Sequence, residues 1–357
     1  TRTAASIDAI PASHSVGVEA LEKVGGRPSL AYLVREGDQL PKRGKVSFKA
    51  GESLKAGSAG SIKFKLWEGD ITDPINDNRF IGMFEIKGSD FDDGVIAAGA
   101  EMICEFEMLD SGFLVLEVKI PSIGGSFQSH RNFYSSQEGK VDYSNQAKSI
   151  QEQSEVALQR VEEIASKIDD PRLDQAREKL EMAGAIDATE ADPERAKEAM
   201  DGVQEAKRLL ALTRKEHRKD IRQLDLDKTV DIFDRIIRQH ARPTEASSFD
   251  SLAKTAQRAI DNNSPDFEAH LDDLRGRLAA ILFRQDGFVI DRFRWLSQDV
   301  HLFGDPREHA QLVAEGAAAL KANDIDKLRV VVLKLDSIKI GSAPEDDMIV
   351  AANILRG

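Results

Sequence analysis

The chain reads as a multidomain α+β protein, with an antiparallel β-sandwich in residues 1–140, an all-α region in 141–242 and an additional helical bundle in 243–357. Three observations predict this. Up to about residue 140 apolar residues alternate with polar ones, the period of a strand with one buried face. From about Asn145 the apolar spacing widens to that of an amphipathic helix and stays there. A length of 357 residues also exceeds what one hydrophobic core ordinarily serves, so more than one domain is expected.

Breaker clusters punctuate the strand region: Gly25-Gly26, Glu36-Gly37-Asp38, Gly51 to Gly60, Asp73 to Asn78 and Asp110-Ser111-Gly112. They leave room for five or more short strands. The clearest is Ile62 to Gly69, where Ile62, Phe64 and Leu66 form an apolar face and Lys63, Lys65 and Trp67 the opposite one, with the two lysines solvated. Its expected partners in one antiparallel unit are Val46 to Lys49, Phe80 to Ile86 and Met102 to Ile120. The clearest hairpin joins Met102 to Met108 with Phe113 to Ile120; Gly112 suits a positive φ in its turn, and Met102, Cys104, Phe106 and Met108 share a face. Pro121 and Gly124-Gly125 are expected to end the sheet.

Composition excludes several classes of function. A net charge of -13 leaves no basic stripe for nucleic acid. Cys104 is the single cysteine, so a disulfide framework and a cysteine zinc site are both out of reach within one chain, in keeping with a reducing, cytoplasmic setting. No apolar run approaches the ~20 residues of a membrane span, and the first residues lack the layout of a secretory signal. The chain begins at Thr1 without a methionine, which reads as a fragment of something longer.

The order of motifs in the first region carries a resemblance. Asp8-Ala9-Ile10-Pro11, Val16 to Leu21 with Gly25-Gly26, Leu40-Pro41, Phe48, Leu66-Trp67-Glu68-Gly69, Asn78 to Gly88, and Phe106 through Asp110-Ser111-Gly112-Phe113-Leu114 follow one another over about 120 residues. In this order they resemble the substrate-binding domain of the 70-kilodalton heat-shock chaperones, the DnaK type. The resemblance implies a peptide-binding region of a molecular chaperone, in which an extended seven-residue segment of an unfolded protein lies between loop-bearing strand pairs under a helical lid. One leucine-like side chain of that segment would enter a central pocket. The matching pocket positions are Val18, Phe48, Ile62, Phe64 and Met102, and the arch over the peptide involves Leu21 and the residues near Ala50 and Gly51. It further implies an ATPase domain, with ATP and Mg, ahead of Thr1, and co-chaperones as partners. This chain is then not an enzyme and holds no cofactor of its own.

This sequence departs from the family pattern in places. The loop read from Val16 to Gly26 and the segment Gly51 to Gly60 are longer, and Asp92-Asp93-Gly94 stands where the family has a basic residue that helps latch the lid. Read without the resemblance, Phe48, Phe64 and Met102 are plain sandwich core. Burying one ligand leucine against such a wall contributes about 1.5–3 kcal/mol. Micromolar binding needs about 8 kcal/mol, so main-chain hydrogen bonds and an enclosing lid must supply the difference.

In the helical region Ile150, Val156 or Ala157, Val161, Ile164 and Ile168 mark a first amphipathic helix, and Pro171 suits the first turn of the next. Further helices are expected at 172–186, 193–221, 226–241, 248–261, 265–285, 288–302, 306–321, 325–339 and 345–356. Three spaced triplets follow turns rich in Asp or Asn: Ala196, Met200 and Val203; Phe267, Leu271 and Leu274; Leu328, Val332 and Leu335. An internal duplication and convergence of ordinary helical hairpins both produce this pattern. The aromatic and arginine stretch Phe283 to Phe303 reads as a second helical core or an interaction surface, and Arg214 to Lys219 as a solvated helix face or a docking patch.

Catalytic layouts are missing. The chain has no phosphate-cradling Gly-x-x-x-x-Gly-Lys loop, no Gly-x-Ser-x-Gly elbow and no His-Glu-x-x-His, and His301 with His309 or Glu308 lacks a third ligand at a helical offset. A peptide-binding chaperone fragment is therefore the first expectation, with unfolded polypeptide as partner and neither nucleic acid nor membrane. The alternative is a non-catalytic adaptor whose helical array binds one folded partner.

Overall fold

A computed structural model describes residues 9–24, 26–128, 146–190, 192–298, 300–303, 305–340 and 354–356. The chain divides into two units, Thr1–Asp142 with Ala351–Gly357 and Tyr143–Val350.

The first unit is built of β1 (Ile10–Pro11), β2 (Val16–Leu21), β3 (Pro28–Val34), β4 (Gln39–Leu40), β5 (Lys42–Ala50), β6 (Leu54–Lys55), β7 (Ser61–Glu68), β8 (Arg79–Lys87), β9 (Val95–Ile96), β10 (Glu101–Met108), β11 (Leu114–Ile120), β12 (Gly125–Gln128) and β13 (Ile354–Arg356). Two antiparallel four-stranded halves can be traced by hydrogen bonding. One runs β12-β11-β10-β5, and the other runs β8-β7-β2 with β3 on the far side of β2. Between them, in the strand order, stands β13 alone. β1 with β4 and β6 with β9 form small separate ladders.

Both halves feed one apolar core. Phe48, Met102, Cys104, Phe106, Leu114 and Leu116 come from the first, and Val18, Ile62, Phe64, Leu66, Phe84 and Ile86 from the second. The rings of Phe48 and Phe64 meet edge to face at 5.9 Å across the halves. The alternation read in 62–66 and in 102–108 therefore does place those residues inside. The 102–108 hairpin forms as expected, with Gly112 at φ +83° in its turn.

Four details differ from the sequence reading. β7 pairs with β8 and with the start of β2, whereas Val46 to Lys49 belongs to β5 and pairs with β10 in the other half. A strand's neighbours depend on which hydrogen-bonding edges distant segments leave open, and alternation carries no such information. Val16 to Leu21, read as the start of a long loop, is strand β2. The sheet also continues past Pro121 and Gly124, because a short 3₁₀ turn ending in left-handed Gly124 lets β12 return antiparallel to β11. Trp67 keeps to the outer face, yet it is only 4% exposed, because Leu30, Ile75 and Phe80 cover that face locally and Glu19 accepts its indole N–H at 3.2 Å. Lys63 and Lys65 on the same face are half-buried.

The second unit holds α1 (Gln146–Ala165), α2 (Pro171–Gly184), α3 (Pro193–Glu216), α4 (Arg218–Ile232), α5 (Pro243–Asp261), α6 (Phe267–Phe283), α7 (Asp286–Gln298), α8 (Pro306–Lys321) and α9 (Ile325–Ile338). Their starts follow the expected chemistry: Asp170, Asp192, Asp305 and Asp324 cap helices by accepting backbone N–H groups, and Pro occupies the first turn after the first three of these. α4 continues through a π turn at Phe233–Ile237, where Phe233 stacks on Phe249 at 3.8 Å.

The helices fall into three groups of three, α1–α3, α4–α6 and α7–α9, each centred on its own apolar core, although the first core also takes in Ile221 at the start of α4. Each spaced triplet lies on the third helix of its group and turns inward, with Met200 the one half-buried member. In every group a buried or nearly buried cation joins the first helix to the third. Lys207 donates to Gln153 at 2.9 Å, Arg222 grips Glu268 through two bonds at 2.8 and 2.7 Å, and Arg292 donates to Asp336 at 2.6 Å. The turns before α6 and α9 match as well, each with a left-handed asparagine, Asn263 at φ 50° and Asn323 at φ 54°.

Within these groups Ala157, rather than Val156, faces the core of the first. Phe293, Leu296 and Phe303 form core in the third, while Trp295 sits 37% exposed with Arg292 and Lys339 over its ring. The helix expected at 345–356 lies outside the described residues up to 353. Its last part is corrected, since 354–356 are strand.

Candidate functional site

The most unusual place in the first unit is the split between β5 and β2. β2 follows β7 only through Val16, Gly17 and Val18, then continues to Leu21 without a partner from β7. On the other side of the split, Ala50 gives its N–H to the carbonyl of Ala100 at 2.9 Å and accepts from Gly99 at 2.7 Å, so its backbone faces β10 and the turn before it. Successive residues of a strand present their backbone groups to opposite edges. Lys49 therefore presents its N–H and carbonyl toward the split.

β13 fills that position. It runs antiparallel to β5, with Ile354 opposite Ala50, Leu355 opposite Lys49 and Arg356 opposite Phe48. It runs parallel to β2, with Leu355 opposite Leu21. Three residues of chain thus complete both otherwise open edges.

The residues singled out from sequence gather around the split to different degrees. Phe48 and Met102 are directly opposed on β5 and β10, while Phe64 opposes Phe84 and Ile62 opposes Ile86 on β7 and β8. With Val18 they lie within the shared core, fully buried while β13 is in place. Leu21 is also buried but stands outside that core, at the end of β2 beside β13. Gly51 is half-buried in the bend just after β5. The sequence reading missed the open backbone of Lys49 and the strand 354–356. Three residues near a terminus are too few to carry a period.

Electrostatics around the split are mild. Cys104, one strand away on β10, is buried without a partner cation, and burial pushes its thiol pKa up to about 12. A thiol held protonated in this way is a poor nucleophile at neutral pH. Among the described residues, no group of three His, Cys, Asp or Glu side chains could hold a metal ion, and no helix is long and apolar enough to cross a membrane. The side chain of His301 lies outside the described residues. In the basic run, Arg214 pairs with Asp225, Arg218 with Glu268 and His217 bonds Asp170, while Lys215 and Lys219 are exposed.

Comparison with protein-family models and with curated proteins returns no match for this chain.

Proposed function

We propose that the first unit is the peptide-binding sandwich of a DnaK-like chaperone and that the split between β5 and β2 is where an extended polypeptide segment binds. The observation that carries this reading is the pair of open edges: Lys49 on one side and the end of β2 on the other offer main-chain hydrogen bonds to a strand laid between them. Adding a strand to open edges is a general mode of peptide recognition, with affinity from the backbone and selectivity from neighbouring side chains. In this reading Val18, Phe48, Ile62, Phe64 and Met102 wall the pocket and Leu21 and Gly51 flank its mouth. Some helices of the second unit act as a lid, and an ATPase domain ahead of Thr1 drives release, chiefly through the off-rate. Asp92 and Asp93 are exposed.

The test is fluorescence anisotropy with a labelled seven-residue peptide carrying a central leucine. Saturable binding at micromolar concentrations is expected, weakened at least about tenfold by Leu21→Asp, a change outside the shared core whose folding is checked by circular dichroism. Binding that ignores Leu21→Asp removes the split as the site.

A second reading, a non-catalytic adaptor whose helical array holds one folded partner, draws on the exposed Val330 and Leu333, three residues apart on α9. Alanine at both positions would then abolish capture of that partner and leave peptide binding untouched.

A further inference from the structure

The split is already occupied. We propose that Ile354-Leu355-Arg356 is a resident ligand of the groove, a segment of the same chain that competes with external polypeptide. The inference rests on the peptide-binding reading above and adds to it the kind of segment preferred, its direction and its regulation.

The argument begins with backbone pairing. β13 is the one strand among the described residues hydrogen-bonded to both halves, and its register places Leu355 between Lys49 and Leu21. An unpaired backbone group shielded from water costs about as much as a lost hydrogen bond, so two facing open edges favour any strand that completes them. The segment has a suitable composition, two aliphatic residues followed by a cation and then Gly357. As residue types, isoleucine and leucine are apolar, and β-branched isoleucine favours strands. The groove would therefore take extended segments of the form aliphatic, aliphatic, basic, running antiparallel to β5 and parallel to β2.

Occupancy in cis has a quantitative consequence. An external ligand binds only the fraction of molecules whose groove is empty, and its apparent affinity falls by that fraction. A tail seated in nine molecules of ten weakens external binding about tenfold.

The experiment uses the full chain and two probes, labelled Ala-Ala-Asn-Ile-Leu-Arg-Gly, which copies residues 351–357, and an unrelated heptapeptide with a central leucine. Leu355→Pro removes a strand N–H and unseats the tail. In a second variant, Lys49→Cys combined with Leu355→Cys, the facing Cα atoms of an antiparallel pair fall within reach of a disulfide, which locks the tail down. We expect Leu355→Pro to bind both probes at least about tenfold more tightly than the parent. The oxidised double-cysteine chain should bind neither until reductant is added.

Equal affinity for the unrelated probe in parent and Leu355→Pro overturns the resident-tail inference and leaves peptide binding standing. No binding of the unrelated probe to any variant, together with tail-copy binding to Leu355→Pro alone, overturns general peptide binding and keeps the tail as the groove's ligand. A parent chain that sediments as a dimer, becoming monomeric in Leu355→Pro, overturns occupancy in cis in favour of exchange between two copies.

Discussion

The two units are held together in opposite ways. In the β unit, segments as far apart as Val18, Phe64 and Leu116 share one core, and among the described strands the ladders of the two halves are joined through β13. In the helical unit, each group of three consecutive helices has its own core and its own cross-link from first helix to third. Cohesion is therefore long-range in the first and local in the second. Damage to the β core should spread through the whole unit, and damage to one helical group should stay within it.

The two tryptophans, Trp67 in the β unit and Trp295 in the last helical group, report on the two kinds of cohesion separately. The largest effect is expected from Phe64→Ala, which empties the contact between the halves and should cost about 3–5 kcal/mol. Urea unfolding followed by Trp67 fluorescence, in a Trp295→Phe background, should show a single earlier transition. Two separate transitions would mean that the halves do not share one core.

Asp336→Ala comes next. It leaves Arg292 in a nearly buried position without its carboxylate and should cost about 2–4 kcal/mol, somewhat less than for a fully buried pair because the guanidinium keeps some access to water. The Trp295 transition should move while that of Trp67 stays in place. Movement of both by the same amount would contradict local cohesion.

A third measurement reads the opening of the β core directly. With its thiol pKa pushed up to about 12 by burial, Cys104 should react with a disulfide reagent at pH 8 on the order of 10³-fold more slowly than in urea-unfolded chain. Rapid labelling in the folded chain would show that the core opens locally. Leu355→Pro should leave this rate nearly unchanged if the tail occupies a groove beside the core and is not itself part of that core.

The smallest effect is a pH dependence in the second helical group. The Arg284 guanidinium, followed by the backbone N–H of Arg242, lowers the pKa of Glu245 from 4.5 to about 2. A carboxylate with a depressed folded pKa contributes stability above its unfolded pKa and loses it as pH falls toward the folded value. Melting temperature should therefore drop between about pH 4.5 and 2 more in the parent than in Glu245→Gln. Because both side chains keep contact with solvent, the difference should be small and should shrink further in high salt. A parent and variant with identical acid profiles would show that this pair does not contribute.

Much of this was legible in the residues. Ile62, Phe64 and Leu66, and Met102 through Met108, announce buried strand faces by alternation, and the triplets Phe267, Leu271, Leu274 and Leu328, Val332, Leu335 announce the inner faces of α6 and α9 by helical spacing. Helix starts at Pro171, Pro193, Pro306 and Ile325 fall where an acidic cap precedes the first turn, with proline at the first position in three of the four. The break between α3 and α4 is expected at 222–225 and falls instead at His217, because no Gly or Pro marks the turn and helical spacing continues on both sides of it. For the candidate site, the apolar faces that carry Phe48, Ile62, Phe64 and Met102 could be read from sequence, while the open edges beside them could not.

What the sequence by itself determined is periodic and local: where the strand period gives way to the helical one, which face of each element is apolar, and where caps and turns begin and end. Those properties arise from interactions among residues a few positions apart. The tertiary structure alone decided that β5 and β7 sit in different halves, that Leu30, Ile75 and Phe80 cover Trp67, and that Ile354 to Arg356 lies between Lys49 and Leu21. Each of these depends on which open edge or apolar face a distant segment can reach and complete, a property of the assembled chain rather than of any stretch within it.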